Sequence, residues 1–234
     1  MGSAYVKKML GNGTSFGKAD PMISPWIAEK KEKSGKQMAK RRALLKTSAR
    51  FFKQNGFHET TLDDLARELG IGKGTLYHYI KSKNDILYEV QSIAIKEIET
   101  AIESALANPG TALDRIRKLL HDYASILADD FGACLVTNGV HALEARNRDE
   151  ILSAQLRLTE ALRQLVAEGI EDSSIVPCDP LVACAALSGA IMNLAYWYDP
   201  GRHEPLSEVV DGMIRILFDG LASRPGRRRK GSTG

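Results

Sequence analysis

Between Thr61 and Ile80 the chain admits two short helices around one tight turn, and little else. Thr61 stands three residues before Asp64, the spacing of a capping box, and Asp63 and Asp64 lie where a helix dipole favours negative charge. Leu62, Leu65, Ala66 and Leu69 then recur on one face. Gly70 ends that helix, Ile71 plugs the turn, and a second helix is predicted from about Lys73 to Ile80. With Leu76 turned inward, about 100° per residue sends Ile80 inward too and leaves Tyr79 at the flank. Gly74 and His78 then face outward, with Thr75 and Tyr77 on either side. Two short helices in this relation form a helix-turn-helix, whose second helix is small enough to enter the DNA major groove.

Residues 70–75, GIGKGT, also look like a glycine-rich phosphate loop. Such a loop needs a strand before its glycines, and here the preceding LDDLAREL is a capped helix. The other glycine cluster, Gly11 to Lys18, has the wrong spacing between its glycines, and Ala19 stands where Ser or Thr would hold magnesium. Nucleotide binding is rejected at both places. On the second helix, Gly74 has no side chain and so permits close approach to bases. Lys73 at its start and Lys83 just beyond its end suit phosphates.

Charge supports that division of labour. Residues 1–90 hold 17 Lys and Arg against 9 Asp and Glu, whereas residues 91–223 hold 10 against 20. The tail 224–234 has five basic residues and no acid. The front therefore suits a polyanion and the rear would be repelled by one.

Helical periodicity continues along the rest of the chain, with Met38, Leu45, Ala49 and Phe52 on one face before the helix-turn-helix. Beyond it, helices are expected at about 82–107, 111–128, 133–146, 148–170, 179–198 and 205–222, and no segment alternates like a strand. The fold expected is all-α, of about nine helices. It comprises a basic arm over 1–35, where Pro21 and Pro25 argue against helix, a head over 36–82, a larger helical module over 83–223 and a basic tail over 224–234. No apolar run approaching a membrane span is recognised, and the first twenty residues lack the continuous apolar stretch of a secretory signal. Cys134, Cys178 and Cys184 are read as free thiols in a reducing cytoplasm.

The front of the chain resembles the TetR family of bacterial one-component regulators. The resemblance is carried by Phe52, Gly56-Phe57, Thr60-Thr61, Leu65-Ala66, Leu69-Gly70, the run Gly72 to Ile80, and Ser82-Lys83. It implies a three-helix DNA-binding head joined by a fourth helix to an all-α ligand domain, and a homodimer held by the last two helices. It further implies that Thr75, Tyr77 and His78 contact bases or nearby phosphates, and that Thr61, Tyr79 and Lys83 contact phosphates. Tyr79 departs from the His of many members, and its hydroxyl can serve a phosphate instead. In the rear, Ser188 to Gly201 resembles the Gly-Ala…Asn…Trp-Tyr…Pro-Gly segment of members that regulate fatty-acid and steroid catabolism, which implies an acyl-CoA thioester as effector.

For dimerisation, Ala186, Gly189 and Ala190 permit close helix contact, and Val210, Met213, Ile214 and Leu217 share one broad face of the last helix. Both faces could equally bury against their own domain. Tyr123, Phe131, Asn138, His141, Asn193 and Trp197 are the candidates to line an effector pocket, each weighed against a plain core role. Arg146 and Arg148 could receive a CoA phosphate or simply be a solvated helix end. His121 and His141 lack metal-ligand spacing, and no metal or cofactor is expected. HExxH is absent from the sequence, and enzymatic activity is not expected. The expected function is a dimeric transcriptional repressor, released from a pseudo-palindromic operator by a small molecule. The competing reading is an architectural DNA-binding protein without an effector, which would show little sequence preference and a steep salt dependence.

Overall fold

The computed structural model describes residues 25–221, with side-chain surroundings from Gln37 onward. The described residues form ten α-helices and one 3₁₀ turn, with no strand among them. The chain divides into two compact units between Lys40 and Arg41, and the packing and the candidate sites lie in the second. The expectations for residues 1–24 and for the basic tail lie outside the described residues.

Helix α1 runs Pro25–Asn55, starting eleven residues before the expected start at residue 36. A proline is tolerated at the first helical position, because its missing N–H would have no partner there and its φ is already helical. Along α1, Leu44, Leu45, Ser48, Ala49 and Phe52 are buried, an i, i+1, i+4, i+5, i+8 stripe, while Met38 is exposed rather than in that stripe. Gly56, at φ 84°, ends the helix in the left-handed region that side chains rarely adopt.

The short helices follow as α2 (Leu62–Glu68) and α3 (Lys73–Tyr79), then the long α4 (Lys83–Leu106). The Thr61–Asp64 capping box forms in full. The turn after α2 closes by Gly70 N–H donating to Arg67 O at 3.1 Å and Ile71 N–H to Ala66 O at 3.0 Å, with Gly70 at φ 64°. Leu65, Leu76, Ile86 and Leu87 are fully buried beside Phe52 and Phe57, whose rings meet edge to face at 5.2 Å. Burying Leu76 and Ile80 anchors α3 by roughly 1.5–3 kcal/mol each.

The rear module contains α5 (Ala112–Ala128), α6 (Asp130–Asn138), a 3₁₀ turn (Val140–Ala142), α7 (Ala145–Glu171), α8 (Pro180–Met192), α9 (Leu194–Trp197) and α10 (Leu206–Asp219). Helix α4 packs against α5, α6 and α7, so one helix is shared between head and rear. The helix expected over 133–146 is interrupted, because Gly139 adopts φ 61° and the chain tightens into the 3₁₀ turn. A new Cβ on Gly132 would stand 2.1 Å from Ile126 O, so only glycine lets the start of α6 pass the end of α5. The helix expected over 179–198 is divided at Asn193, where Tyr196 N–H reaches back three residues to Asn193 O at 3.0 Å.

Residues 180–197 carry no charged residue, and by length and mean hydropathy of 1.4 they meet the measure for a membrane span. This corrects the expectation that no such run exists. The stretch is nevertheless two helices and not a span: Cys184, Leu187, Ile191, Leu194 and Ala195 pack into the rear core, while the other face is uncovered.

Candidate nucleic-acid interface and effector cavity

Helix α3 presents the face expected of it. Lys73, Gly74, Thr75 and His78 are exposed, as is Tyr77 at 54%, and Tyr79 is half-buried. Nothing lies within 4 Å of a Cβ built on Gly74, and its φ is not positive. The head itself therefore has no need of glycine there, although glycine costs a helix about 1 kcal/mol relative to alanine.

Lys73 Nζ sits 2.6 Å from Asp63, which holds its pKa above the ordinary lysine value and ties α3 to α2. Thr61 is exposed at the α2 N-terminus, with its hydroxyl donating to Asp64 Oδ2 at 2.6 Å and accepting from Asp64 N–H at 3.2 Å. The hydroxyl's bond to the carboxylate, with the Thr61 N–H donating to the same oxygen at 3.0 Å, lowers the Asp64 pKa. The Tyr79 carbonyl accepts from Arg41 of α1, and Arg41 also pairs with Glu89 of α4. One guanidinium thus fixes the end of α3 to two other helices. No sequence motif marks this link, because its partners lie 38 and 48 residues from Arg41.

Lys83 differs from its expected role as a phosphate contact. Its ammonium donates to Phe57 O at 2.7 Å, Thr60 O at 2.7 Å and His58 O at 3.2 Å, and it lies 4.4 Å from the Phe57 ring centroid. An ammonium has three N–H donors, and all three are engaged within the head. Lys83 is a brace across the loop between α1 and α2.

In the rear module a cavity of about 380 Å³ opens between α4, α5, α6, α7 and α8. Its wall is largely aliphatic, with Ile95, Ile98, Leu135, Val136, Val140, Leu158 and Leu162, and with Met192 and His141 toward solvent. Of the six expected lining residues, Tyr123 and His141 line it. Phe131 is instead buried in the core under the Arg42 guanidinium, 5.1 Å from its ring centroid. Asn193 is exposed, and Trp197, 41% exposed, meets His203 edge to face at 5.2 Å.

Asn138 faces away from the cavity toward the head. Its Oδ1 accepts the Phe57 N–H at 3.1 Å, while its Nδ2 donates to Cys134 O at 3.3 Å. The neighbouring residues Val136, Gly139, Val140 and His141 line the cavity. The same segment is tied to α4, since Asn84 donates to Ala142 O at 3.0 Å and accepts Glu144 N–H at 3.1 Å, and Gln91 donates to Gly139 O at 3.2 Å. A short stretch of backbone thus has the cavity on one side and the head on the other.

The expected dimer residues divide. Val210 and Ile214 are 1% and 2% exposed, buried within their own domain, so they cannot form a surface contact. Met213, Leu217 and Ala190 are half-buried, whereas Ala186 and Gly189 are exposed. Leu181, Val182, Tyr196 and Ile216 are exposed apolar residues that periodicity alone did not single out. Arg148 donates to Leu143 O at 3.3 Å, and Arg146 is exposed. Cys134 and Cys184 are buried free thiols, and Cys178 is an exposed one. Among the described residues no cluster of three or more His, Cys, Asp or Glu is placed to hold a metal.

A helix-turn-helix with an exposed polar recognition helix, joined through a shared long helix to a helical module with its own cavity, defines a DNA-binding regulator with a ligand-binding domain. Residues 44–90 match the family described as bacterial regulatory proteins, tetR family, and residues 109–221 match the tetracyclin repressor-like C-terminal domain. The fatty acid metabolism regulator protein of Bacillus subtilis is 26% identical over 177 residues, covering 73% of this chain and 90% of that protein. Among solved structures, PfmR from Thermus thermophilus superposes with a TM-score of 0.70 at 26% identity, over 77% of this chain and 99% of that one. AibR in complex with isovaleryl coenzyme A and operator DNA gives 0.67 at 21% identity, over 76% and 97%. The chain belongs to the TetR family of transcription regulators.

Proposed function

We propose that this regulator acts as a homodimeric repressor, released from a pseudo-palindromic operator when an acyl-CoA thioester enters the rear cavity. The observation that carries the release step is the segment 136–144, which forms part of the cavity wall and is also bonded to Phe57 in the head and to Asn84 and Gln91 on α4. A ligand that binds better to one arrangement of that segment shifts the population of head positions. Two heads spaced about 34–36 Å apart would read successive turns of one DNA face, so a small change in spacing disrupts both contacts at once.

Within each head, covering residues 36–82, Thr75, Tyr77 and His78 are the base readers and Gly74 allows the approach. Lys73, Thr61 and the Tyr79 hydroxyl are the phosphate contacts. Lys83 leaves that set and becomes the brace of the loop that carries Thr61. The module over 83–223 receives the effector and forms the dimer. Its uncovered face along α8 and α9, with Leu181, Val182, Ala186, Gly189 and Met192 on α8 and Tyr196 on α9, is the natural mating surface, since exposed apolar patches on this scale mark interfaces. The thioester class is supported by an apolar cavity of about 380 Å³, by the acyl-CoA ligand named for AibR, and by the Ser188–Gly201 segment.

Fluorescence anisotropy on DNA from upstream of the gene tests this, against a scrambled duplex at fixed salt, followed by titration with isovaleryl-CoA and longer thioesters. Sequence-dependent binding released by a thioester is the expected result. Equal binding to both duplexes would favour the architectural reading. Tight specific binding that no thioester releases would remove the effector class and leave the regulator.

A further inference from the structure

The wall of the cavity carries no Lys, Arg, Asp or Glu. A charged group buried there would have no counter-charge, which excludes a carboxylate or phosphate from the interior. The polar groups that are present differ in how they are satisfied. The Thr159 hydroxyl donates to Gln155 O at 3.1 Å, and the Ser188 hydroxyl donates to Cys184 O at 2.8 Å. His141 and Thr159 are exposed and Gln155 is half-buried, so these residues mark the opening.

Tyr123 is of another kind. It is 6% exposed and shares the wall with Ile95, Ile98, Leu135 and Leu162, yet none of the described residues offers its hydroxyl a hydrogen-bond partner. That oxygen is not among the fully enclosed, unpartnered polar atoms, and the cavity is the open space that Tyr123 borders. Buried tyrosine hydroxyls ordinarily find a partner, because desolvating one without replacement is unfavourable. Burial also raises the phenol's pKa, which keeps it a neutral donor.

We propose that the effector carries an oxygen, as a ketone or hydroxyl, on the end that lies deepest in this cavity, and that Tyr123 selects it by donating a hydrogen bond. The inference rests on the cavity being the effector site. The thioester carbonyl does not supply this oxygen. The coenzyme is too large and too charged for a space of about 380 Å³, so the thioester stays at the opening, beside His141 and Gln155. A plain alkyl end would cover the phenol without bonding it. An oxygenated ring or chain end fills the same volume and satisfies it.

Tyr123→Phe removes the hydroxyl and keeps the ring, and its melting curve checks that the fold is intact. Two ligand pairs are compared on both proteins by calorimetry: octanoyl-CoA with 7-oxooctanoyl-CoA, and cyclooctane with cyclooctanone. The wild type is expected to favour the oxygenated member of each pair by about ten-fold or more, as a site built to hydrogen-bond one group rejects the analogue lacking it. Tyr123→Phe is expected to lose that preference and to bind the hydrocarbon at least as well. Equal binding of both members by the wild type, or a preference that survives in Tyr123→Phe, overturns the inference. If cyclooctanone is preferred but neither thioester binds, the thioester class falls and the role of Tyr123 stands. If octanoyl-CoA binds as tightly as its oxo analogue and releases DNA, the effector reading stands and this inference falls. If no probe binds, both fall.

Discussion

Replacing Lys83 with methionine separates two roles that look alike from a distance, a phosphate contact and an internal brace. Methionine approximates the length of lysine's apolar stem, with sulfur in place of one methylene, and lacks the ammonium. Three carbonyl acceptors then lose a charged donor, two of them at 2.7 Å and one at 3.2 Å. Hydrogen bonds to charged groups contribute about 1.5–3 kcal/mol each in favourable settings. The site is only half-buried, so water replaces part of what is lost. The Phe57 and Thr60 bonds set the scale at about 2–3 kcal/mol in total, with the longer bond adding little. In a chain of this length each kcal/mol moves Tm by about 2–4 °C, so a fall of about 4–12 °C is expected. The assay is a thermal melt paired with DNA binding measured over a range of salt. A brace gives the melting loss and leaves the salt slope of the folded protein unchanged. A phosphate contact gives an unchanged melt and a slope smaller by about 0.9 per contact. That second pattern would refute the reading of Lys83 drawn from its three carbonyl bonds.

Other substitutions test other parts of the fold. Asn138→Ala removes the acceptor for the Phe57 N–H and should reduce the effector's influence on DNA affinity by about 5-fold or more, with affinity in its absence little altered; undiminished coupling in titrations with and without effector would place the transmission elsewhere. Val182→Glu, at a position 64% exposed, should convert dimer to monomer in light scattering and change the stability of the isolated chain by no more than about 0.5 kcal/mol; a persistent dimer would exclude this face. Gly132→Ala forces a methyl to within 2.1 Å of Ile126 O, a backbone atom that cannot turn aside, and should destabilise by about 1–3 kcal/mol or more on denaturant unfolding.

The head was legible in the sequence because its information is local. The Thr61–Asp64 box, the glycine at position 70 and the inward pair Leu76 and Ile80 each follow from spacings of three or four residues, and each forms as expected. The start of α1 was misplaced because a proline reads as a breaker unless it falls at the first helical position, where it is favoured. The position of Lys83 carries a trace of this role: a cation at the first residue of a helix opposes the dipole and is favoured there when acceptors are supplied from elsewhere.

The cavity was harder to read for a physical reason. Aromatic and polar residues are the candidates a sequence offers, but most of the wall is Ile, Leu, Val and Met, which look the same whether they touch a neighbour or line a gap. Whether a gap exists depends on how α4, α5 and α7 lie against one another, which no short stretch encodes. The same limit explains Val210 and Ile214. An apolar stripe shows that a helix buries a face, and leaves open whether the covering partner is its own domain or a second chain.

The open space around Gly74 bears on how such a protein changes over time. Gly74, Thr75 and Tyr77 make no side-chain hydrogen bond among the described residues, whereas α3 is held by Leu76, Ile80, the Asp63–Lys73 pair and Arg41. Apart from Lys73, which pairs with Asp63 and also faces outward, the side chains that anchor the helix and those it displays are separate sets. Substitutions in the displayed set therefore carry little folding penalty. A duplicated copy could acquire a new DNA target by changes at these few positions while the head, the cavity and the link between them stayed as they are.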